Sequence, residues 1–380
     1  MPRRGENIFK RKDGRWEARY IHHRENGRAK YHYVYGATYS EARAKKKAAL
    51  QVLTGNPMFP MSGKRGEFEG LSEAWLSDIQ VCVKESTYTR YYRIVTKYLL
   101  PLIEKKRMDE MDQKYLNGLT ANLLMRGGSG GTALAPKTVT DILCVFKAIL
   151  KYGTNNGFAC PDTNRLRYPP KKGKNTKIMT NENRIQIEQK LLSSDDRVSL
   201  GILFTLFTGV RIGELCGLRW GDIDFSNATV SICRTVERIA DLSPYAKSKT
   251  KVVLSEPKTE SSVRVIPLPG FLLEYMQRQR CNIDCYLLTG ERKYTEPHQY
   301  YVRYQKYLKQ NDIDKHTFHT LRHTFATRCV EIGFDTKSLA EILGHSNITT
   351  TLSVYVHPTL QQKKAQMERL TPDNFSQSDL

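Results

Sequence analysis

The run HTLRHTFATRCVEIGFDTKSLAEILGHSNITTTLSVYVH, from His319 to His357, is dense in side chains that bind cations or anions. His319 and His323 stand four apart on one helix, a spacing that zinc ligands use. The sequence is HTLRH rather than HEXXH, so the glutamate that would act as base is missing, and Arg322 between the histidines repels a cation. No metal is expected there, and His323 is read as a packed or capping residue. His319 and Arg322 instead share a helix face at i, i+3. An imidazole and a planar guanidinium fork aimed at one point suit a phosphate oxygen. Taken alone, the same pair also reads as a surface histidine beside a salt-bridged arginine.

Three further stretches carry groups of the same kind. FTGVRIGELCGLRW offers Arg211 just after an apolar helix and a Thr-Gly turn, with Glu214 one turn on. Locally this is a plain i, i+3 ion pair, and Glu214 either supports a site or pairs with a nearby cation. SEPKTESSVRVIPL reads as a hairpin with Lys258 near its turn, and Lys247, Lys249 and Lys251 compete for any role there. LGHSNITTTLSVY sets His345 after Gly344 at a helix end and Tyr355 ten residues on. Neither packing nor metal binding accounts for Tyr355.

In this order, RIGE, a lysine hairpin, HTLRHTFAT, LGHS and a downstream tyrosine resemble the tyrosine recombinase (phage integrase) family. The resemblance covers about residues 175 to 360 and is specific as an ordered set. It implies catalytic roles for Arg211, Lys258, His319, Arg322, His345 and Tyr355. Cutting a DNA phosphodiester without losing its bond energy requires a covalent enzyme–phosphate intermediate. A tyrosine reaches a backbone phosphate, and a phenol pKa of about 10 leaves an ester that a sugar hydroxyl can reverse. In the implied mechanism Arg211 and Arg322 hold the non-bridging oxygens, and Lys258 protonates the leaving 5′ oxygen. His319 assists proton transfer at the tyrosine, and His345 donates a hydrogen bond to the phosphate. Two arginines and a lysine supply the positive charge that a metal supplies elsewhere, and the phosphotyrosine stores the bond energy. No cofactor is therefore expected.

These groups must be positioned on a polyanion, and the rest of the chain has the charge for it. Its 380 residues carry a formal charge of +21, which favours DNA through counterion release. A hydrophobic content of 39% is enough for ordinary cores and excludes a disordered chain. The eight cysteines are scattered without a C-x-x-C pair, and read as reduced thiols of a cytoplasmic protein. The N-terminus lacks the apolar core of a signal peptide, and no apolar run is long enough for a membrane span.

Three segments follow. Residues 1–55 contain Asp13-Gly14 and Asn26-Gly27 turns between alternating runs, which predict three strands and then a helix with Ser40 as N-cap. Trp16, Ala18 and Tyr20 share one strand face; Arg15, Arg19 and Ile21 share the other, where the arginines either enter a DNA groove or only solvate the sheet. Residues from about 54 to 66 read as a linker. Residues 66–170 show helical spacing in LSEAWLSDIQ, TYTRYYRIVTKYLLPLI and TVTDILCVFKAILKYGTNN, with Pro136 suited to a first turn and RGGSGG as a flexible loop. Basic strips of Arg90, Arg93 and Lys97, and of Lys147 and Lys151, either contact phosphate or form solvated faces. A second linker, YPPKKGKNTK, leads into residues 175–380, which run from helices to the strands TVSICRTV and SVRVIPL and back to helices.

The expected fold class is multidomain α+β: an N-terminal three-stranded sheet plus helix, a helical core-binding domain, and a mainly α catalytic domain with a small antiparallel sheet. The helical segment is similar in placement to the family's core-site-binding domain. The N-terminal unit resembles the arm-site-binding domain of conjugative-transposon integrases. The resemblance implies a site-specific recombinase that integrates and excises a mobile element. Its implied partners are double-stranded DNA with core-type and arm-type sites, further copies in a homo-tetramer on that DNA, and an excision or directionality factor. The amphipathic TLQQKKAQMERL after Tyr355 is implied to dock on a neighbouring protomer, self-packing being the alternative. Rival readings are a type IB topoisomerase-like protein, a chromosome-dimer resolvase and a DNA-binding regulator without catalysis. An extra basic N-terminal sheet argues against the first two, and the ordered catalytic set against the third.

Overall fold

Alternating side chains carry the start of the chain into an antiparallel sheet of order β1-β2-β3, formed by Ile8–Lys10, Trp16–Glu25 and Arg28–Gly36. The computed structural model describes residues 7–11, 14–25, 28–43, 45–46, 68–103, 108–164, 166–170, 178–243, 246, 248–255, 263–345, 347–355, 364 and 367–368. The chain divides into two compact units, Met1–Lys171 and Lys172–Leu380. It is a multidomain α+β protein.

In the first unit, Ile8 and Ala18 on one sheet face pack with Ala42 of the short helix α1, described over residues 39–43 and 45–46. Ser40 is not the cap of that helix. Thr38 Oγ1 accepts from the Glu41 amide at 3.2 Å, while Glu41 Oε2 accepts from the Ala37 amide at 2.8 Å. The cap falls two residues earlier than expected because Thr38 Oγ1 satisfies the orphan amide of Glu41, while the Glu41 side chain reaches back past the cap to Ala37.

Helices α2 (Phe68–Gln80), α3 (Glu85–Ile94), α4 (Leu100–Ile103), α5 (Gln113–Arg126) and α6 (Pro136–Asn155) enclose an apolar core that includes Phe68, Leu99, Leu123 and Phe146. Pro136 opens α6, where its missing N–H leaves no bond unmade. Pro101 leaves its mark upstream. It cannot donate to Lys97 and its ring crowds that carbonyl, and the preceding turn, Val95–Leu99, widens into a π-helix. The RGGSGG loop contains a 3₁₀ turn over Ser129–Gly131.

The second unit contains α7 (Asn181–Leu192), α8 (Arg197–Thr208), α9 (Ile212–Gly217), α10 (Gly270–Gln277), α11 (Pro297–Gln310), α12 (Phe318–Glu331), α13 (Thr336–Leu343) and α14 (Ile348–Tyr355). Helix α8 is buried along nearly its whole length, as befits a helix apolar on every side. Asp196 caps it, accepting from the amides of Val198 and Ser199. Two small antiparallel sheets flank the helices: β4-β5-β8 (Ile223–Asp224, Thr229–Ile232, Arg264–Pro267) and β6-β7 (Thr235–Ala240, Thr250–Ser255).

Two strand expectations change here. TVSICRTV is two strands, not one: the pairing stops at Cys233 and Arg234, and β5 and β6 join different sheets. Arg234 donates to Asp222 and to the Gly217 carbonyl at that break. Among the described residues, the strands on either side of Lys258 do not pair with each other: β7 pairs with β6 and β8 with β5. Lys258 itself, like Lys247 and the linker at 54–66, lies outside the described residues.

Candidate active site

The site is built on two helix ends and the face of a third helix. Helix α8 ends at Gly209, whose φ of +65° suits glycine, and a Cβ there would lie 2.5 Å from Phe325 Cδ1. Arg211 then caps α9. Its backbone N–H donates to Glu214 Oε2 at 2.9 Å, and its guanidinium donates to Glu214 Oε1 at 2.7 Å and to the Gly344 carbonyl at 3.2 Å. Helix α13 ends likewise at Gly344, with a φ of +64°, and His345 follows.

Glu214 is buried and serves two arginines. Arg264, from β8, donates to its two oxygens at 2.9 and 3.2 Å and also donates to the Ile342 carbonyl at 2.5 Å. Burial opposes ionisation of this carboxyl, but the hydrogen bonds and charge of Arg264, with the charge of Arg211, outweigh it and lower its pKa. Of the two readings left open for Glu214, the geometry joins both: it pairs with cations and by doing so holds Arg211 in place.

Arg322 is only 1% exposed. It donates to the Gly209 carbonyl at 2.7 Å and the Leu343 carbonyl at 2.6 Å, and stands 3.0 Å from His345 Nε2. These partners are neutral. Burial, then the nearby Arg211 charge, push the guanidinium down to about 9. Arg211 and Arg264 thus share one carboxylate, Glu214, and Arg322 adds a third guanidinium, which leaves an excess of two positive charges where Arg264 and Arg322 are buried and Arg211 is partly exposed. An anion such as a phosphodiester would offset that excess.

His345 bridges Arg322 and the fully buried Thr351, whose Oγ1 lies 2.8 Å from Nδ1. Because Arg322 can only donate, Nε2 is the acceptor and Nδ1 carries the proton. Burial and the charges of Arg322, Arg211 and Arg264 hold the imidazole neutral, with a pKa pushed down to about 4. His319 is likewise pushed down to about 4 by burial, His323, Arg322 and Arg211. Tyr355 is 7% exposed and sits among Phe325, Cys329, Leu339 and Leu343. Burial raises its phenol pKa against the opposing pull of Arg322 and Arg211.

The structure thus brings Arg211, Arg322 and His345 together, with His319 and Tyr355 close enough for their charges to act on one another. Three residues escaped the sequence reading. His323 is more than a packed or capping residue: its Nδ1 lies 2.6 Å from Tyr355 Oη, and its ring meets His319 edge-on at 4.4 Å between centroids. Arg264 and Thr351 carried no local signal, since an arginine in a short strand and a threonine in a run of three are ordinary.

The candidate DNA-binding residues lie in the first unit. The β2 face opposite Ala18 is open, with Phe9 and Tyr33 each 50% exposed. Arg19 lies between the rings of Phe9 and Tyr31, 5.4 Å from each centroid, and Arg15 lies 5.6 Å from that of Tyr35. Arg90 pairs with Asp141 at 3.3 Å. Arg93 and Lys151 are exposed, and Lys147 is half-buried.

The family model of the phage integrase family matches residues 174–362. A tyrosine recombinase XerC-like protein of Caldanaerobacter subterraneus subsp. tengcongensis is 27% identical over 91% of this chain and 93% of its own length. The transposase from transposon Tn916 of Enterococcus faecalis is 31% identical over 45% of each chain. Among solved structures, the integrase of transposon Tn1549 in complex with transposon right end DNA superposes with a TM-score of 0.62 at 23% identity, over 79% of this chain and 98% of that one. That likeness establishes the fold.

Proposed function

Since the chain belongs to the tyrosine recombinase (phage integrase) family and is a site-specific recombinase of the kind found in conjugative transposons, we propose that it integrates and excises a mobile element through a 3′-phosphotyrosine intermediate. The observation that carries this reading is the buried cationic pocket. Arg211 and Arg322 lie beside a nearly enclosed tyrosine, in a site with more positive charge than its one carboxylate balances.

In this reading the scissile phosphate enters the pocket and takes hydrogen bonds from Arg211 and Arg322 on its non-bridging oxygens. Both arginines are already held by carbonyls or by Glu214, so little reorganisation accompanies charge build-up in the transition state. Tyr355 attacks phosphorus, and Lys258 protonates the departing 5′ oxygen. When the phosphate displaces the Arg322 contact, Thr351 donates to His345 Nδ1, the imidazole proton sits on Nε2, and Nε2–H donates to the phosphate, while His319 supports proton movement beside the nucleophile. The 5′ hydroxyl of another strand reverses the step and completes exchange.

The three-stranded sheet with its arginine–aromatic face binds arm-type sites through Arg15 and Arg19. Helices α3 and α6 bind core-type sites through Arg90, Arg93, Lys147 and Lys151. The domains in this reading are residues 1–55, 66–170 and 175–380. Strand exchange needs four active sites, so the working form is a homo-tetramer on DNA in the cytoplasm, with an excision or directionality factor setting direction. No helix among the described residues is long and apolar enough to cross a membrane.

The test is covalent capture on a nicked DNA site. An SDS-stable protein–DNA adduct is expected from the wild-type chain and none from Tyr355→Phe. An adduct that survives that substitution overturns the assignment of the nucleophile. Deleting residues 1–55 should leave core-site cleavage intact and abolish integration, and unchanged integration would refute the arm-site role.

A further inference from the structure

We infer that His323 is a catalytic residue: it holds the Tyr355 hydroxyl in the site and takes its proton when the phenol attacks phosphorus. This rests on the phosphotyrosine reading above and departs from it in one respect, since the base that touches the nucleophile is His323 and not His319. The contact is direct. His323 Nδ1 lies 2.6 Å from Tyr355 Oη, and their rings stand 5.5 Å apart between centroids. A general base must lie within hydrogen-bond reach of the proton it removes, and His323 is the side chain that bonds to this hydroxyl among the described residues.

Backbone geometry fixes the pair. His323 follows Arg322 on α12, and Tyr355 ends α14, which packs on α12 and α13. His319, one turn before His323, meets its ring edge-on and limits its rotation. The arrangement has the pattern of an activated nucleophile: a hydroxyl, a base, and a third group that orients the base.

The surroundings keep His323 able to accept a proton. Burial, then the Arg322 charge, lower its pKa, so the ring is neutral near pH 7. His319 and Arg322 face it from its own helix and Tyr355 from α14. Around Tyr355, α13 contributes the apolar Leu339 and Leu343, and α12 the thiol of Cys329, which burial pushes up to about 12. No carboxylate is hydrogen-bonded to His323 among the described residues, so nothing there opposes the downward shift.

The step balances. The Tyr355 Oη–P bond forms as the P–O5′ bond breaks. The phenolic proton moves to His323 Nδ1, and the 5′ oxygen receives a proton from the general acid, Lys258. In rejoining, the incoming 5′ hydroxyl returns its proton to the acid, and His323 gives its proton back to the leaving phenolate.

The experiment uses the whole chain and a nicked duplex selected from a random-sequence pool for covalent capture by the wild type. If the wild type captures nothing, the phosphotyrosine reading fails and not this one alone. Given capture, His323→Asn keeps a hydrogen-bonding atom near the Nδ1 position but cannot take the proton. It should bind the duplex as the wild type does and form adduct about 100-fold more slowly at pH 7. The wild-type rate should rise with pH and then level off as His323 loses its proton. The variant should lack that plateau and climb about tenfold per pH unit toward the wild-type rate, as tyrosinate forms without a base. A fluorinated tyrosine at position 355, whose phenol is more acidic, should restore much of the rate to His323→Asn. An unchanged rate, or a loss equal at every pH and not restored by the fluorinated residue, overturns the inference. The fluorinated tyrosine paired with His323→Gln repeats the test should His323→Asn not fold.

Discussion

Replacing Glu214 with glutamine tests whether the cationic pocket depends on one buried carboxylate. Glu214→Gln keeps the shape but leaves one oxygen for four contacts: the Arg211 amide and guanidinium at 2.9 and 2.7 Å, and two Arg264 nitrogens at 2.9 and 3.2 Å. The new NH₂ group then faces donors. The Arg211 side chain is 39% exposed, so its share is discounted for solvent screening. Arg264 and Glu214 are only 6% and 4% exposed, and removing one partner of a buried pair costs about 3–5 kcal/mol. A loss of about 3 kcal/mol in the stability of the second unit is expected. Urea unfolding followed by Trp220 fluorescence, with Trp16 and Trp75 changed to phenylalanine, isolates that unit. Adding Arg264→Met should recover part of the loss, since it removes the stranded cation. The pH dependence has a definite sign. The folded pKa of Glu214 is lowered, so its contribution is present above the unfolded value of about 4.3 and is lost as pH falls through the folded value. The variant should lack that acid-dependent part. A loss under about 1 kcal/mol, typical of an exposed pair, would refute the claim that this carboxylate organises the pocket.

Three other substitutions probe separate parts of the molecule. Arg322→Lys keeps the charge but cannot span the Gly209 and Leu343 carbonyls as a planar fork, and single-turnover adduct formation should fall about 100-fold; a loss under threefold would remove Arg322 from transition-state binding. Thr351→Val removes the hydroxyl bonded to His345 Nδ1 and should cost about 1 kcal/mol in unfolding free energy together with slower cleavage, while Thr351→Ser should keep wild-type stability and rate; equal behaviour of the two variants would show the hydroxyl to be idle. Arg19→Ala should lower the slope of log K against log salt for duplex binding by about 0.9, one phosphate contact, and an unchanged slope in titrations at several salt concentrations would place Arg19 off the DNA.

Local order was legible in the residues. Two Asx-Gly turns between alternating runs announced the N-terminal sheet, Pro136 marked the start of α6, and a Thr-Gly pair marked the end of α8. These signals act between near neighbours in the chain, where backbone conformation and side-chain period are set. The groups expected at a phosphate came from the order of the motifs and the family it resembles, because each pair taken alone also read as an ordinary surface contact. What the chain by itself left open were matters of long-range partnership. TVSICRTV keeps the period of one strand, yet the pairing breaks at Arg234 because Asp222 and the Gly217 carbonyl draw its guanidinium aside. Glu214 had two readings until Arg264, 50 positions away, came to lie on it. His323 read as filler because its one informative contact, Tyr355, is 32 positions distant and reached only when α14 packs on α12. Spacing within a helix decides which side chains share a face; only the packing of helix on helix decides which oxygen that face meets.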